Sequence, residues 1–147
     1  MWSVDYLLLA DAVAVAEGKH YIHGAGWDRI LAGAFPVTHP VLGVAARLRV
    51  PWVDTNMPIA LELDVLDADG QSILPNPPGP LRGTVNQGRP AYIPPGDDQV
   101  IPVAFQIGQV QFPQAGQYVV VLRLGGLEAA RAPFHVHGPL SGAPEPS

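Results

Sequence analysis

The 147-residue chain has no cysteine, a single lysine, and charged side chains at only 14% of its positions. The absence of thiols excludes disulfide staples, zinc–thiolate sites, iron–sulfur clusters and cysteine nucleophiles. The lone lysine, Lys19, sits in "EGKH", where Gly-Lys is followed by His20 rather than Ser or Thr, and no G-x-G-x-x-G opens a helix. Phosphate-loop and dinucleotide chemistry are therefore disfavoured. The serines Ser3, Ser72, Ser141 and Ser147 all fall outside a G-x-S-x-G context, which argues against a serine hydrolase. A net charge of −5 with seven scattered arginines offers no basic footprint, so neither nucleic acid nor a membrane is an expected partner. The opening "MWSVDYLLLADAV" has no basic leader, and its apolar patch is too short to span a bilayer. The expected compartment is the cytoplasm.

Sixteen glycines and seventeen prolines are about twice average usage, so short segments and frequent turns are expected. Period-two alternation is clearest in "VLGVAARLRV", where Leu42, Val44, Ala46, Leu48 and Val50 share one face and Gly43, Ala45, Arg47 and Arg49 the other. "IALELDVL" repeats it, with Ile59, Leu61, Leu63 and Val65 inward, Glu62 and Asp64 outward, and Asp67-Ala-Asp-Gly70 turning a hairpin. That turn lacks the sixth-position Gly and twelfth-position Glu of a calcium loop. "VIPVAFQI" alternates through Val103, Phe105 and Ile107, and Pro102 marks an edge or a strand start. "AGQYVVVLRLGGLEAARAPFHVHG" predicts a hairpin about Gly125-Gly126, with Tyr118, Val120, Leu122, Leu124, Ala130, Ala132, Phe134 and Val136 inward.

Residues 5–16 read as strand or, as an alternative, an amphipathic helix, and "DRILAGAF" as one helical turn capped by Asp28. Residues 75–98 carry seven prolines around "LRGTV" and predict a stiff surface excursion with one edge strand. The expected fold is all-β: an antiparallel immunoglobulin-like β-sandwich of about eight or nine strands, with a long Pro-rich loop and at most one short helical turn. Residues 1–138 form its single domain, and residues 139–147 a disordered Pro/Gly-rich tail.

Four of the five histidines fall in pairs, in "HYIHG" and "FHVHG". Two apart on a strand, His135 and His137 share a face, and the alternating Phe134 and Val136 send that face outward. His20 and His23, three apart, face opposite ways on a regular strand. His135 and His137 are thus the candidate metal ligands, with His39 or an Asp as a third, although no spacing singles out the third ligand. Trp27 and Trp52 are candidate sugar-stacking residues, against the plainer expectation that they and Trp2 finish the core.

The segments "DYLLLADAVAVAEGKHYIHGAGWDRI", "FPVTHPVLGVAARLRV", "LELDVLDADG" and "FPQAGQYVVVLRLGGLEAARAPFHV" together resemble a family of short bacterial, largely actinobacterial proteins known as a domain of unknown function. The resemblance runs from about residue 5 to residue 137 and implies a sandwich fold, with no catalytic residue to carry over. The first functional expectation is a non-enzymatic binding or accessory module, without cofactor, that engages a protein partner or self-associates. The alternatives are a metal-binding protein or metalloenzyme using His135 and His137, and a carbohydrate-binding module using Trp27 or Trp52.

Overall fold

The alternation resolves into ten strands among the residues described by the computed structural model, which are 1–74 and 79–139. These are β1 (Ser3–Ala10), β2 (Ala12–Ala16), β3 (Lys19–His23), β4 (Arg29–Leu31), β5 (Val37–Val50), β6 (Ile59–Leu66), β7 (Leu81–Val85), β8 (Gln99–Phe112), β9 (Gly116–Leu124) and β10 (Leu127–His137). They form a five-stranded sheet in the order β4-β10-β9-β6-β7, a three-stranded sheet β1-β5-β8, and the hairpin β2-β3. The two larger sheets share one core, in which Leu42, Val44, Leu48 and Phe112 meet Leu63, Val120, Leu122 and Phe134. Each such side chain contributes about 1.5–3 kcal/mol by leaving water. Phe112 packs edge-on to Tyr118 and to Phe134, at 4.9 and 5.8 Å between ring centroids.

Residues 5–16 are strand, not helix, but the chain crosses over at Asp11 and folds the β2-β3 hairpin back onto the outside of the three-stranded sheet. Val13 and Ile22 cover Ala45 and Ala104 there. Gly43 and Ala45, expected on a polar outer face, are consequently buried, and only Arg47 and Arg49 emerge beyond the hairpin. Gly43 is required by this approach: a Cβ there would sit 2.9 Å from the carbonyl oxygen of Ala10 and 3.1 Å from Val13 Cγ2.

Three further expectations are corrected. The sheets are not wholly antiparallel, because β4 runs parallel to β10. "DRILAGAF" starts with that short strand and has no helical turn at Asp28, whose carbonyl instead accepts from His135 N at 2.8 Å. Among the described residues the one helical turn is a 3-10 turn at Trp52–Asp54, within the expected limit of one. Asp64 does not face solvent. After the turn at Asp67, residues Gln71–Leu74 return over β6, and the buried Asp64 carboxylate accepts from Ser72 Oγ at 2.6 Å and from Val65 N at 2.9 Å.

The long strands β5 and β8 change inward face midway. Pro40 and Gln109, the latter at φ 55°, interrupt the ladder between the pairs His39–Val110 and Val41–Gly108. Past this break Val37, His39, Val110 and Phe112 turn inward, so the strand ends wrap the bottom of the core. At the other end β9 and β10 are joined at Gly125 and Gly126, both with positive φ (62° and 83°), as a two-residue hairpin turn of this kind demands. Pro102 lies in β8, an edge strand as expected, and β7 is the expected edge strand in the Pro-rich excursion. Residues 75–78 of that excursion, and 140–147 of the expected tail, lie outside the described residues. Its remainder is pinned at the base: Gln99 accepts from Gln87 at 2.7 Å and donates to the Gly88 carbonyl at 2.9 Å, and the Arg89 guanidinium lies 4.0 Å over the Trp52 ring.

Candidate functional site

The last strand fixes the orientation of the histidine pair. Phe134 and Val136 are buried in the core, so His135 and His137 stand on the outer face of the five-stranded sheet. Their rings stack with centroids 5.6 Å apart and planes 9° from parallel. Parallel pairing of β4 brings Arg29 beside His135 and Leu31 beside His137, and antiparallel pairing of β9 puts Gln117 on the other side of His135. Arg29 Nη1 donates to His137 Nε2 at 2.7 Å, and the Gln117 amide nitrogen to His135 Nε2 at 3.0 Å. A guanidinium has no acceptor, so His137 Nε2 must supply the lone pair and carry its proton on Nδ1.

This arrangement works against the metal reading. Both Nε2 lone pairs already accept hydrogen bonds, one of them from a cation that would repel a second cation, and among the described residues no three His, Asp or Glu side chains are grouped to hold an ion. His39 packs between Trp27 and Phe112 at ring distances of 6.1 and 6.5 Å. His20, on the opposite outer face of the sandwich, bridges Tyr6 and β8: its Nε2 donates to the Val103 carbonyl at 2.8 Å and its Nδ1 meets the Tyr6 hydroxyl at 2.6 Å. His23 is exposed at the end of the same hairpin. His20 and the His135–His137 pair thus lie on opposite outer faces.

The tryptophans are built into the rim of the core. Trp2 is buried, Trp27 is half-buried with its indole N–H donated to the Gly24 carbonyl at 2.8 Å, and Trp52 carries Arg89 on its ring. Neither Trp27 nor Trp52 stands out as a free stacking platform.

Of the concave surfaces among the described residues, two bear on these side chains and on the apolar end of the fold. A groove of about 320 Å³ runs over the outer face of β9 and β10 past Gln117, Val119, Arg131 and Pro133 to Leu66 and Asp67. A larger cleft of about 740 Å³ opens at the end of the sandwich, lined by Met1, Trp2, Ile59, Leu124, Leu127 and Ala129. Leu127 is 64% exposed there, and Val53 (73%) and Met57 (59%) are exposed in the segment that supplies Asp54 and Ile59 to the lining. One Asp54 oxygen is buried without a hydrogen bond, and the Met1 nitrogen 2.7 Å away meets it as an ion pair.

Glu128 at the cleft, and Asp5 and Glu62 elsewhere on the molecule, are engaged by arginine. Hydrogen bonds from Arg49, then Arg47, hold Asp5 below the usual carboxylate range. Arg131 does the same for Glu128 at the cleft, and Glu62 is paired with Arg82 and Arg123. Burial pushes the Tyr118 phenol up, against the lowering effect of its bond to the Gln114 carbonyl at 2.6 Å. Among the described residues no helix is long and apolar enough to cross a membrane.

Sequence reading placed His135 and His137 correctly but missed Arg29, Gln117 and Leu127. Arg29 reaches the pair only through a parallel strand 108 residues distant, for which the chain carries no local signal. Leu127, next to the Gly-Gly turn, was legible as an apolar residue where a polar one is usual.

Among solved structures, the chain is similar to the Pseudomonas fluorescens alkylpurine DNA glycosylase AlkC, bound to DNA containing an abasic site analog. The identity is 12% and the TM-score 0.42, over 92% of this chain and 30% of that one, so the chain spans less than a third of that protein's length. No curated protein matches. The family of unknown function DUF6941 matches residues 5–137, nearly all of the described sandwich, and the chain belongs to that family.

Proposed function

We propose that this protein is a non-catalytic binding module that engages a protein partner through the apolar end of its sandwich. The observation that carries the reading is the cleft of about 740 Å³ beneath the β9–β10 turn, with Leu127 64% exposed at its mouth. Concave apolar surface ringed by polar groups is what a protein interface needs at its centre, and a methionine such as Met1 in the lining adapts to a partner's shape. The pairing of Asp5, Glu62 and Glu128 with arginines further supports it, since these carboxylates serve as ion-pair acceptors and not as an acid and base facing a substrate. The cytoplasm is the proposed compartment.

The test is purification of the tagged chain from its native cells with quantitation of companions. Wild type should retain one protein at fixed stoichiometry, or a second copy of itself by sedimentation. Leu127→Glu should lose it, and Leu31→Glu, 83% exposed on β4 beside the far end of β10, should keep it. Purification without a stoichiometric companion, or equal retention by Leu127→Glu, overturns the proposal.

A further inference from the structure

The outer face of the five-stranded sheet carries a second surface of different chemistry, independent of the apolar end. Arg29, His137, His135 and Gln117 form a continuous row of hydrogen-bonding groups from β4 across β10 to β9, joined by contacts of 2.7 and 3.0 Å with stacked rings between them. The row adjoins the groove of about 320 Å³ at Gln117, and the outward side chains Val119 and Pro133 and the neighbouring Leu66 give that groove an apolar floor. A donor-rich end beside an apolar trough fits a ligand with a charged head and a greasy body.

We propose that this face binds an organic acid, with its carboxylate on Arg29, His135 and His137 and its apolar body along the groove over Val119 and Pro133. The Arg29 guanidinium is suited to the head group: its side chain is 58% exposed, and its nearest carboxylate, Asp28, stands at 3.8 Å, too far for a tight pair. His137 now spends its Nε2 lone pair on Arg29. A proton added to that nitrogen would oppose the guanidinium, unless an anion sits against both and accepts from each. At His135 the Gln117 amide can reverse to present its oxygen, so that ring keeps its partner in either tautomer. The other charged groups facing the site are Asp28 ahead of β4, Arg131 and Asp67 along the groove, and Asp11 across the neighbouring cleft from Arg29.

The experiment is titration of the full chain with octanoate, acetate and octanol, followed by amide chemical shifts. Octanoate should shift residues 29–31, 117–119 and 133–137 and bind at least tenfold tighter than acetate, while octanol should leave these residues unmoved. Arg29→Gln, at an exposed position, and His137→Asn, at a half-buried one, should each weaken octanoate at least fivefold, and Val119→Gln should reduce it to the level of acetate. Equal binding of octanol, shifts confined to the apolar end cleft, or octanoate binding unchanged in Arg29→Gln overturns the proposal. Each result is read separately from partner retention at Leu127.

Discussion

Gly43→Ala tests whether the β2-β3 hairpin is bound to the sandwich or merely lies near it. The new methyl would stand 2.9 Å from the Ala10 carbonyl oxygen and 3.1 Å from Val13 Cγ2. The first of these is backbone and cannot turn aside, so the crossover at Asp11 must shift and lift Val13 from Ala45. Overpacking of this kind costs about 1–3 kcal/mol. Gly43 has no positive φ, so alanine suits its backbone and returns about 0.4–1 kcal/mol through the unfolded chain. The net loss is about 1–2 kcal/mol. With an unfolding entropy of about 2.1 cal/mol/K per residue, 147 residues give about 3 °C per kcal/mol, hence a fall in Tm of about 3–6 °C. The assay is a thermal melt together with amide exchange at residues 12–23, which should quicken. Gly83→Ala, whose added carbon meets nothing within 4 Å, is the control and should melt within a degree or two of wild type. A Gly43→Ala variant as stable as wild type, with unchanged exchange in the hairpin, refutes the three-layer packing.

Phe134→Ala removes a ring packed against both Phe112 and Tyr118 and should cost about 3–5 kcal/mol, seen as a lower urea midpoint at unchanged slope. Asp5, held low by Arg49 and Arg47, has a folded pKa below its unfolded value near 3.8. Its contribution is therefore present above that value and lost as pH falls through the folded one, and Asp5→Asn should flatten the stability profile below about pH 5 and leave its shape at pH 7 to 9 alone. Gln99→Leu strands the Gln87 amide and the Gly88 carbonyl, and should cost about 1–3 kcal/mol and speed proteolytic nicking within residues 86–98.

The sandwich was legible wherever one face of a strand is buried and the other wet. β9, β10 and the second half of β5 announce themselves by alternation, and the same alternation oriented His135 and His137. It failed where a third element covers the outer face. Gly43 and Ala45 under the hairpin, and Asp64 under Gln71–Leu74, are buried by chain that local pattern does not see. It failed again at the break around Pro40 and Gln109, where the inward face switches while the apolar letters continue. β4 is three residues long and owes its form to pairing with β10, so no propensity within "DRILAGAF" identifies it. For the same reason the histidine pair could be seen without its guanidinium. The question of whether it binds metal turns on Arg29 more than on either histidine.

The most direct test of the proposed function is hydrogen–deuterium exchange of the chain alone and in complex with the companion that copurifies with it. Binding at the apolar end predicts slowed exchange at residues 1–3, 52–59 and 124–129, with residues 29–31 and 135–137 unchanged. Protection confined to the β4 and β10 end, or to the β7 edge, would contradict it.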